Sequence, residues 1–303
     1  MFNLKGVVYM KNTIFTGSAT ALVTPINNRG VDFDALEKII DFQISNSTDA
    51  LVVCGTTGEA PTLEDNEHLA AIECAVSVTK GRIPVIAGTG SNNTAHAVMM
   101  NKEAEKLGAD GVLWVAPYYN KSTQRGLIEH YRTLAASTNL PAILYNVPSR
   151  TGSDILPATV AELSKIENIV AIKEATGDVA RTVDIISRCG DAIDVYSGND
   201  DVIVPMMSVG AKGVISVLSN VMPLQTHEMC ELCLSGDYVK AGQMQVQLFP
   251  LIKALFCEVN PIPVKTAMNL MGFEAGKLRL PLFEMEDANL ELLSKEMKKL
   301  NLI

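Results

Sequence analysis

The sequence predicts an α/β protein in which eight parallel strands close into a (β/α)8 TIM barrel, followed by a C-terminal helical subdomain. Eight short apolar runs, rich in Val, Ile, Leu and Ala, recur between residues 16 and 220. The runs are continuous instead of alternating, which is typical of parallel strands buried on both faces. Helical patterns separate them. An open, doubly wound sheet is the competing layout, and the nearly regular spacing of the units favours the closed barrel.

The predicted strands and helices alternate in order along the chain. The apolar runs cover residues 16–25, 49–58, 83–91, 110–119, 140–148, 168–177, 192–200 and 211–220. Helices are predicted between them over 32–42, 64–78, 94–107 and 157–163. In the first helix the apolar side chains fall largely on one face, which contains Phe33, Leu36, Ile39, Ile40 and Phe42. Pro157 opens the last helix, where its missing N–H is tolerated.

The strand pattern stops after about residue 236. The remaining sequence predicts helices over 238–256, 263–271 and 288–300, with more apolar positions than a solvated tail needs. We therefore divide the chain into an N-terminal extension (1–11), a catalytic barrel (12–236) and a C-terminal helical subdomain (237–303). Met10 precedes the first run, so translation can start at Met1 or at Met10.

Composition excludes several classes of protein. Lys and Arg total 25 against 34 Asp and Glu, which gives a net charge of −9. Such a chain is a poor candidate for coating nucleic acid or an anionic membrane. No apolar stretch approaches the ~20 residues of a transmembrane helix, and the N-terminus lacks the apolar region of a signal peptide. With six cysteines, the chain is expected to carry reduced thiols in the cytoplasm.

Motifs for metals and nucleotides are incomplete. Cys230 and Cys233 have redox or zinc-type spacing, but they lie in an apparent helix without a second pair, which favours packed thiols. The four histidines have no paired metal spacing. The glycine-rich segment 88–93 lacks the third glycine of a dinucleotide fingerprint. No metal and no cofactor are predicted.

The predicted strand ends carry the chemistry, because barrel active sites lie at the carboxyl ends of the strands. Lys173 ends the sixth run, and burial there would favour the neutral amine that attacks a carbonyl compound. A lysine that reaches solvent or pairs with Glu174 remains the alternative. Tyr145 ends the fifth run and is a candidate proton shuttle.

Other strand ends offer groups for an anionic substrate. Thr56 and Thr57 precede Gly58 in a turn whose N–H groups can bind a carboxylate, although ordinary turn chemistry would also explain them. Arg150 follows the fifth run and can bind a carboxylate through two hydrogen bonds, or lie solvated at the surface.

Four motifs, in the right order, resemble the dihydrodipicolinate synthase family. They are GTTGE at 55–59, YNVPSRTG at 145–152, IKEATG at 172–177 and NPIPVK at 260–265. The resemblance runs from about residue 14 to the end of the chain. It implies a (β/α)8 barrel with C-terminal helices. Relatives of the family include N-acetylneuraminate lyase and other pyruvate aldolases that form a Schiff base.

The resemblance also implies residue roles. Lys173 matches the lysine that forms an imine with pyruvate, and Tyr145 matches the phenol that relays protons. Thr57 and Tyr119 match the rest of the hydroxyl relay, with Tyr119 entering the site of a neighbouring subunit. Thr56 and Thr57 match the positions that hold the pyruvate carboxylate.

Three further positions complete the implied site. Arg150 matches a residue at the entrance that is linked to aspartate 4-semialdehyde. Gly198 and Ile215 match backbone positions that line the lysine pocket. The implied reaction condenses pyruvate with aspartate 4-semialdehyde to give 4-hydroxy-tetrahydrodipicolinate, in lysine and diaminopimelate biosynthesis. It needs no cofactor, and the implied assembly is a homotetramer of two dimers.

Two rival functions remain open from the sequence. Another pyruvate aldolase, such as N-acetylneuraminate lyase or a keto-deoxy-sugar-acid aldolase, would also use Lys173 and Tyr145. Two features favour the synthase: Thr56, where the neuraminate lyases usually carry serine, and Arg150, where they carry an apolar residue. A non-catalytic small-molecule binder is the second rival, and the joint presence of the relay residues argues against it.

The resemblance also predicts weak or absent inhibition by lysine. His68, Asn92 and Tyr118 match positions of the cleft that binds lysine in sensitive family members. Asp65 stands where the sensitive pattern has histidine, and His96 stands where it has a glutamate that faces the effector's amines. Loss of that carboxylate removes a charge-assisted hydrogen bond.

Overall fold

The computed structural model describes residues 13–303 and contains a closed barrel of eight parallel strands. The strands are β1 Gly17–Ala21, β2 Ala50–Val53, β3 Val85–Gly88, β4 Gly111–Val115, β5 Ala142–Asn146, β6 Ile169–Glu174, β7 Asp194–Ser197 and β8 Gly213–Ser216. Each strand lies within one predicted run. Because β8 pairs with β1, the predicted barrel is confirmed and the open sheet is excluded. The proposed extension 1–11 and the choice of start codon lie outside the described residues.

Helices cover the outside of the barrel and follow its strands. They are α1 Phe33–Ser45, α2 Asp65–Thr79, α3 Thr94–Lys106, α4 Gln124–Ala135, α5 Pro148–Thr151, α6 Pro157–Leu163, α7 Val179–Cys189, α8 Ile203–Ser208 and α9 Pro223–Leu234. The C-terminal helices are α10 Tyr238–Leu255, α11 Ile262–Leu270 and α12 Asp287–Lys299. A small hairpin pairs Ile26–Asn27 with Gly30–Val31 before α1. Within residues 13–303, no helix is both long and apolar enough to cross a membrane.

Helix α1 shows how local sequence sets a boundary. The carboxylate of Asp32 accepts a hydrogen bond from the Ala35 N–H and caps the helix. Leu36 and Ile39 are buried as predicted. Phe33, predicted on the same apolar face, is 41% exposed. It is the first residue of the helix, and the buried residues begin at Ala35.

Two apolar layers hold the fold together. An inner layer fills the barrel and includes Ala19, Ile86, Tyr196 and Ile215. An outer layer lies between the strands and the helices, and residues of α10, α11 and α12 belong to that same cluster. The C-terminal helices therefore share a core with the barrel. The loop between α9 and α10 contains the proposed boundary at residue 236, which stays a prediction.

The cysteine pair lies inside this outer layer. Cys230 and Cys233 are on α9 and are buried. Burial raises the pKa of the Cys233 thiol to about 11 and that of Cys230 well above its usual value. Both groups are thus protonated, poorly nucleophilic side chains that pack like small apolar residues.

Candidate active site

The amine of Lys173 and the phenol of Tyr145 meet inside the carboxyl end of the barrel. Strands β5 and β6 pair in a register that places Tyr145 opposite Lys173. The Lys173 Nζ lies 4.5 Å from the centre of the Tyr145 ring. Both side chains are 6% exposed. The register of two neighbouring strands thus brings together the two residues that carry the predicted imine chemistry.

Burial changes the protonation of both groups. Desolvation lowers the pKa of Lys173 to about 8, with the charge of Asp200 opposing the change and that of Arg150 adding to it. Desolvation raises the pKa of Tyr145, against a hydrogen bond with Thr56 and the charge of Arg150. At neutral pH a useful fraction of Lys173 is therefore the free amine, while the phenol keeps its proton.

The alternative role for Lys173 does not fit the structure. The Glu174 carboxylate accepts hydrogen bonds from Arg181 Nε at 3.1 Å and from Asn146 Nδ2 at 3.0 Å. Successive residues of a strand point to opposite faces, so Glu174 faces the surrounding helices while Lys173 faces the barrel interior. Lys173 forms no ion pair within residues 13–303 and is too buried to be solvated.

Gly198 and Ile215 occupy different places around the lysine. A Cβ at Gly198 would lie 3.1 Å from Cε of Lys173 and 2.5 Å from Cβ of Ala175. Only a glycine leaves room there for the extended lysine stem. Ile215 is fully buried in the inner layer of the barrel and is not part of the cavity wall, which Val217 enters instead.

The turn after β2 presents two threonines in different environments. A side-chain interaction with Thr56 lowers the pKa of the Tyr145 phenol. The hydroxyl of Thr57 accepts a hydrogen bond from Asn260 Nδ2 at 3.0 Å. Both threonines lie in the wall of the active-site cavity. The relay role of Thr57 stays a prediction.

A cavity of about 190 Å³ connects these groups to solvent. Its wall contains Gly55, Thr56, Thr57, Tyr145, Arg150, Lys173, Gly198, Asn199 and Asn260. Arg150 lies on the short helix α5 at the rim, and its Nη2 donates to the Asn260 carbonyl at 3.2 Å. The cavity has room for a small keto acid, with an amine at its base and a guanidinium at its entrance.

Comparisons with known proteins identify the family and the fold. Residues 14–300 match the profile of the dihydrodipicolinate synthetase family. The chain belongs to this family. The 4-hydroxy-tetrahydrodipicolinate synthase of Lachnoclostridium phytofermentans is 54% identical over 292 residues, which are 96% of this chain and 99% of the relative.

Two solved structures of the family share the whole fold. The dihydrodipicolinate synthase of Acinetobacter baumannii complexed with pyruvate is 43% identical, with a TM-score of 0.94, over 96% of this chain and 100% of that one. A monomeric dihydrodipicolinate synthase variant is 44% identical, also with a TM-score of 0.94, over 96% of this chain and 98% of its own. The predicted family and fold are both confirmed.

Tyr119 does not reach the cavity of its own chain. It is 91% exposed, with a φ of +67°, in the loop between β4 and α4. Its N–H donates to the carbonyl of Thr151 at 3.3 Å, which fixes the loop while the side chain projects outwards. In this member of the dihydrodipicolinate synthetase family, the side chain of Tyr119 lies outside both cavities described for its own chain. Its entry into a neighbouring subunit stays a prediction.

A second cavity, of about 390 Å³, lies beside the first. The two share Thr56, Tyr145 and Arg150, and the second also contains Asp65, His68, His96 and Tyr118. His96 Nε2 and Asp65 Oδ1 lie 2.9 Å apart. Burial lowers the pKa of His68, whose Nε2 lies 2.8 Å from the Gly88 carbonyl oxygen. Four residues of the predicted effector cleft thus line this cavity. The fifth, Asn92, is not part of its wall, but its Nδ2 donates to the Tyr118 carbonyl at 3.3 Å.

Sequence reasoning missed three residues at the site. Asn260 belongs to a quoted motif, but no role followed from the pattern. Asn199 and Asp200 end the seventh run, which was the only signal for them. Asp200 is 2% exposed, and its Oδ2 accepts the N–H groups of Val217 at 3.0 Å and Leu218 at 2.9 Å. In residues 13–303, no group of three or more metal-ligating side chains could hold a metal ion.

Proposed function

We propose that Lys173 forms an imine with pyruvate and that the chain condenses this imine with aspartate 4-semialdehyde to give 4-hydroxy-tetrahydrodipicolinate. The predicted activity is the one named for relatives that match nearly the full chain, and the chain is a lyase of that kind. The observation that carries the residue assignment is the buried, unpaired Lys173 amine beside the Tyr145 phenol.

The first half of the reaction uses the base of the cavity. The neutral Lys173 amine attacks the pyruvate ketone, and water leaves as the imine forms. N–H groups and hydroxyls of the turn that contains Thr56 and Thr57 hold the substrate carboxylate. The protonated imine then withdraws electrons from the neighbouring methyl group. Loss of a methyl proton gives an enamine, so the lysine itself supplies the electron sink.

The second half uses the entrance. Arg150 is placed to bind the carboxylate of aspartate 4-semialdehyde through charge-assisted hydrogen bonds. The enamine attacks the aldehyde carbon and regenerates the imine. The amino group of the second substrate then adds to the imine carbon, which closes the ring and releases Lys173. We assign Tyr145 and Thr56 to the proton relay. We assign Thr57 to binding the substrate carboxylate, and its hydrogen bond with Asn260 helps to fix the turn.

Another pyruvate aldolase is the remaining enzymatic rival. It would use Lys173 and Tyr145 in the same way, and the two differ at the entrance. Arg150 supports the synthase, because its guanidinium can pair with the carboxylate of a short semialdehyde. Turnover of pyruvate with aspartate 4-semialdehyde, measured beside cleavage of N-acetylneuraminate, separates the two activities.

Borohydride trapping tests the imine. Incubation with pyruvate and borohydride should add a stable mass increment that peptide mapping places on Lys173. Lys173→Ala should lose the label and the activity, while Lys165→Ala, at the surface, should keep both. A label that persists in the Lys173→Ala variant would contradict the proposed nucleophile.

Assembly and location are proposed on the same basis. Tyr119 completes a relay only if it crosses an interface, so we propose a dimer as the minimum active unit and a tetramer of two dimers as the full assembly. A fully active monomer, measured by light scattering at assay concentration, would refute the role of Tyr119. A cytoplasmic location, where thiols stay reduced, also remains a prediction.

A further inference from the structure

A buried ion pair lies behind the turn that carries Thr56 and Thr57. Lys265 Nζ and Glu59 Oε1 are 2.6 Å apart, and each side chain is 1% exposed. Glu59 ends the turn after β2, whereas Lys265 lies on α11 of the C-terminal subdomain. Neither residue is part of the wall of the active-site cavity or of its neighbour. The pair therefore has no direct contact with a substrate in either cavity.

Both members of this ion pair make further hydrogen bonds. The second carboxylate oxygen of Glu59 accepts the Arg279 N–H at 3.0 Å. Lys265 Nζ also donates to the carbonyl of Lys277 at 2.8 Å. An ion pair taken out of water is stable only when its remaining donors and acceptors are satisfied. Here each member has one further partner, a backbone group of the segment after α11, so these bonds join the turn after β2 to the C-terminal subdomain.

The turn needs such an attachment. Cys54 and Glu59, at its two ends, have φ angles of +55°, in the left-handed region that residues other than glycine adopt only at a cost in free energy. A conformation of this kind persists where surrounding contacts impose it. A second contact comes from Asn260, just before α11, whose Nδ2 donates to the hydroxyl of Thr57 at 3.0 Å. Two contacts, at Thr57 and Glu59, thus fix the turn.

We propose that Glu59 and Lys265 are positioning residues for pyruvate. Their ion pair holds the turn so that Thr56 and Thr57 meet the substrate carboxylate at the distance that imine formation on Lys173 requires. The proposal rests on the carboxylate-binding role assigned above to the two threonines. Under this proposal the C-terminal subdomain contributes to pyruvate binding through Lys265 on α11.

The test compares pyruvate binding with stability. The variants are Glu59→Gln, Lys265→Met and the double variant Glu59→Gln/Lys265→Met, which has no charge left in the pair. Met268→Ala is the matched control, because Met268 is fully buried on the same helix and its truncation weakens the packing of α11. The measurements are kcat, the KM of each substrate, the pyruvate dependence of borohydride trapping, and the thermal midpoint.

We expect the KM for pyruvate and the half-saturation of trapping to rise about tenfold in the three ion-pair variants, since small displacements of a positioning group are costly. The kcat and the KM for aspartate 4-semialdehyde should change by less than about threefold. The double variant should recover thermal stability lost by Lys265→Met but keep the raised KM. Met268→Ala should lower the midpoint with an unchanged KM for pyruvate.

Two results would overturn the proposal. One is an unchanged KM for pyruvate in Glu59→Gln or in the double variant, either of which can be measured if Lys265→Met does not fold. The other is an equal rise in the KM for pyruvate in Met268→Ala, which would show that the ion pair acts only through the general packing of α11. The variant Thr57→Val distinguishes failure of the proposed carboxylate site from failure of the ion-pair proposal. If Thr57→Val leaves pyruvate binding unchanged, the carboxylate site is wrongly assigned, whatever the ion-pair variants show.

Discussion

Two buried lysines in this chain have opposite surroundings. Lys173, on β6, is 6% exposed and has no carboxylate in direct contact among the described residues, and desolvation lowers its pKa to about 8. Lys265, on α11, is 1% exposed and lies 2.6 Å from Glu59. Burial lowers its pKa too, but the Glu59 carboxylate acts against that change. Both amines are removed from water, and among the described residues only Lys265 has a carboxylate in direct contact, whereas the charge of Asp200 acts on Lys173 from farther away.

The difference separates a reactive amine from a structural one. A buried ammonium ion without a partner is expensive, so Lys173 releases its proton easily and becomes a nucleophile. A buried ammonium ion with a hydrogen-bonded carboxylate stays charged and fixes the two segments it joins. Lys173 and Lys265 are thus the same residue type and are both buried. The presence or absence of a carboxylate in direct contact decides whether the amine is structural or reactive.

The largest expected effect is on stability. Lys265→Met should lower the free energy of unfolding by about 3–5 kcal/mol, because Glu59 is left as an unpaired buried charge. Lys173→Met should raise it by about 1–3 kcal/mol at pH 7, because the folded-state pKa of Lys173 lies below its unfolded value. That gain should be largest below pH 8 and vanish as pH rises towards 10.5. Denaturant unfolding of both variants gives the two values.

Equal destabilisation by the two substitutions would break the comparison. It would mean that Lys173 is also held by a counter-charge. Met is the common replacement because it keeps the length of the lysine stem without the charge. Activity is a separate readout, since Lys173→Met should be inactive whether or not it is more stable.

Arg150→Leu should harm the second substrate more than the first. Loss of a charge-assisted contact costs about 1.5–3 kcal/mol, which is a tenfold to hundredfold fall in kcat/KM for aspartate 4-semialdehyde. Because the charge of Arg150 lowers the pKa of Lys173, the variant should also need a higher pH for imine formation. Steady-state kinetics and trapping at several pH values measure both effects. Equal damage to both substrates would point to a structural role for Arg150 in its loop.

Free lysine, tested as an inhibitor, would bring a third amine into the second cavity. In the second cavity, Asp65 is already 2.9 Å from His96, and His96 replaces the carboxylate of the sensitive pattern. An effector amine therefore lacks a free counter-charge, which weakens binding by about 1.5–3 kcal/mol. Initial rates should not change with lysine up to about 1 mM, a concentration that corresponds to roughly 4 kcal/mol of binding. Strong inhibition below that level would show that Asp65 is available to the ligand.

The smallest effect concerns the pH profile. Activity should rise with pH through about 8, because the neutral form of Lys173 is the nucleophile. The charge of Asp200 raises the pKa of that amine, so Asp200→Asn should move the midpoint to lower pH by roughly 0.5–1 pH unit. The amide oxygen can still accept an N–H from the loop after β8, which limits structural damage. An unchanged midpoint of the pH–activity profile would show that the charge of Asp200 does not affect the pKa of Lys173.

Local sequence determined the barrel and most of the reactive set. The continuous apolar runs predicted all eight strands, because a strand buried on both faces needs apolar residues at nearly every position of a short segment. The strand ends then identified Lys173, Tyr145 and Arg150, since every parallel strand delivers its last residues to the same end of the barrel. These features depend on neighbours in sequence, and that is why a single chain reveals them.

Only the tertiary structure decided the contacts between distant segments. Lys265 and Glu59 are 206 positions apart, and Asn260 and Thr57 are 203 apart. No periodicity links such residues, because their meeting depends on how the C-terminal helices pack against the barrel. The same packing fixes the turn after β2 through the contacts at Thr57 and Glu59. The sequence supplied the reactive groups, and three-dimensional packing determined which buried lysine has a carboxylate in direct contact.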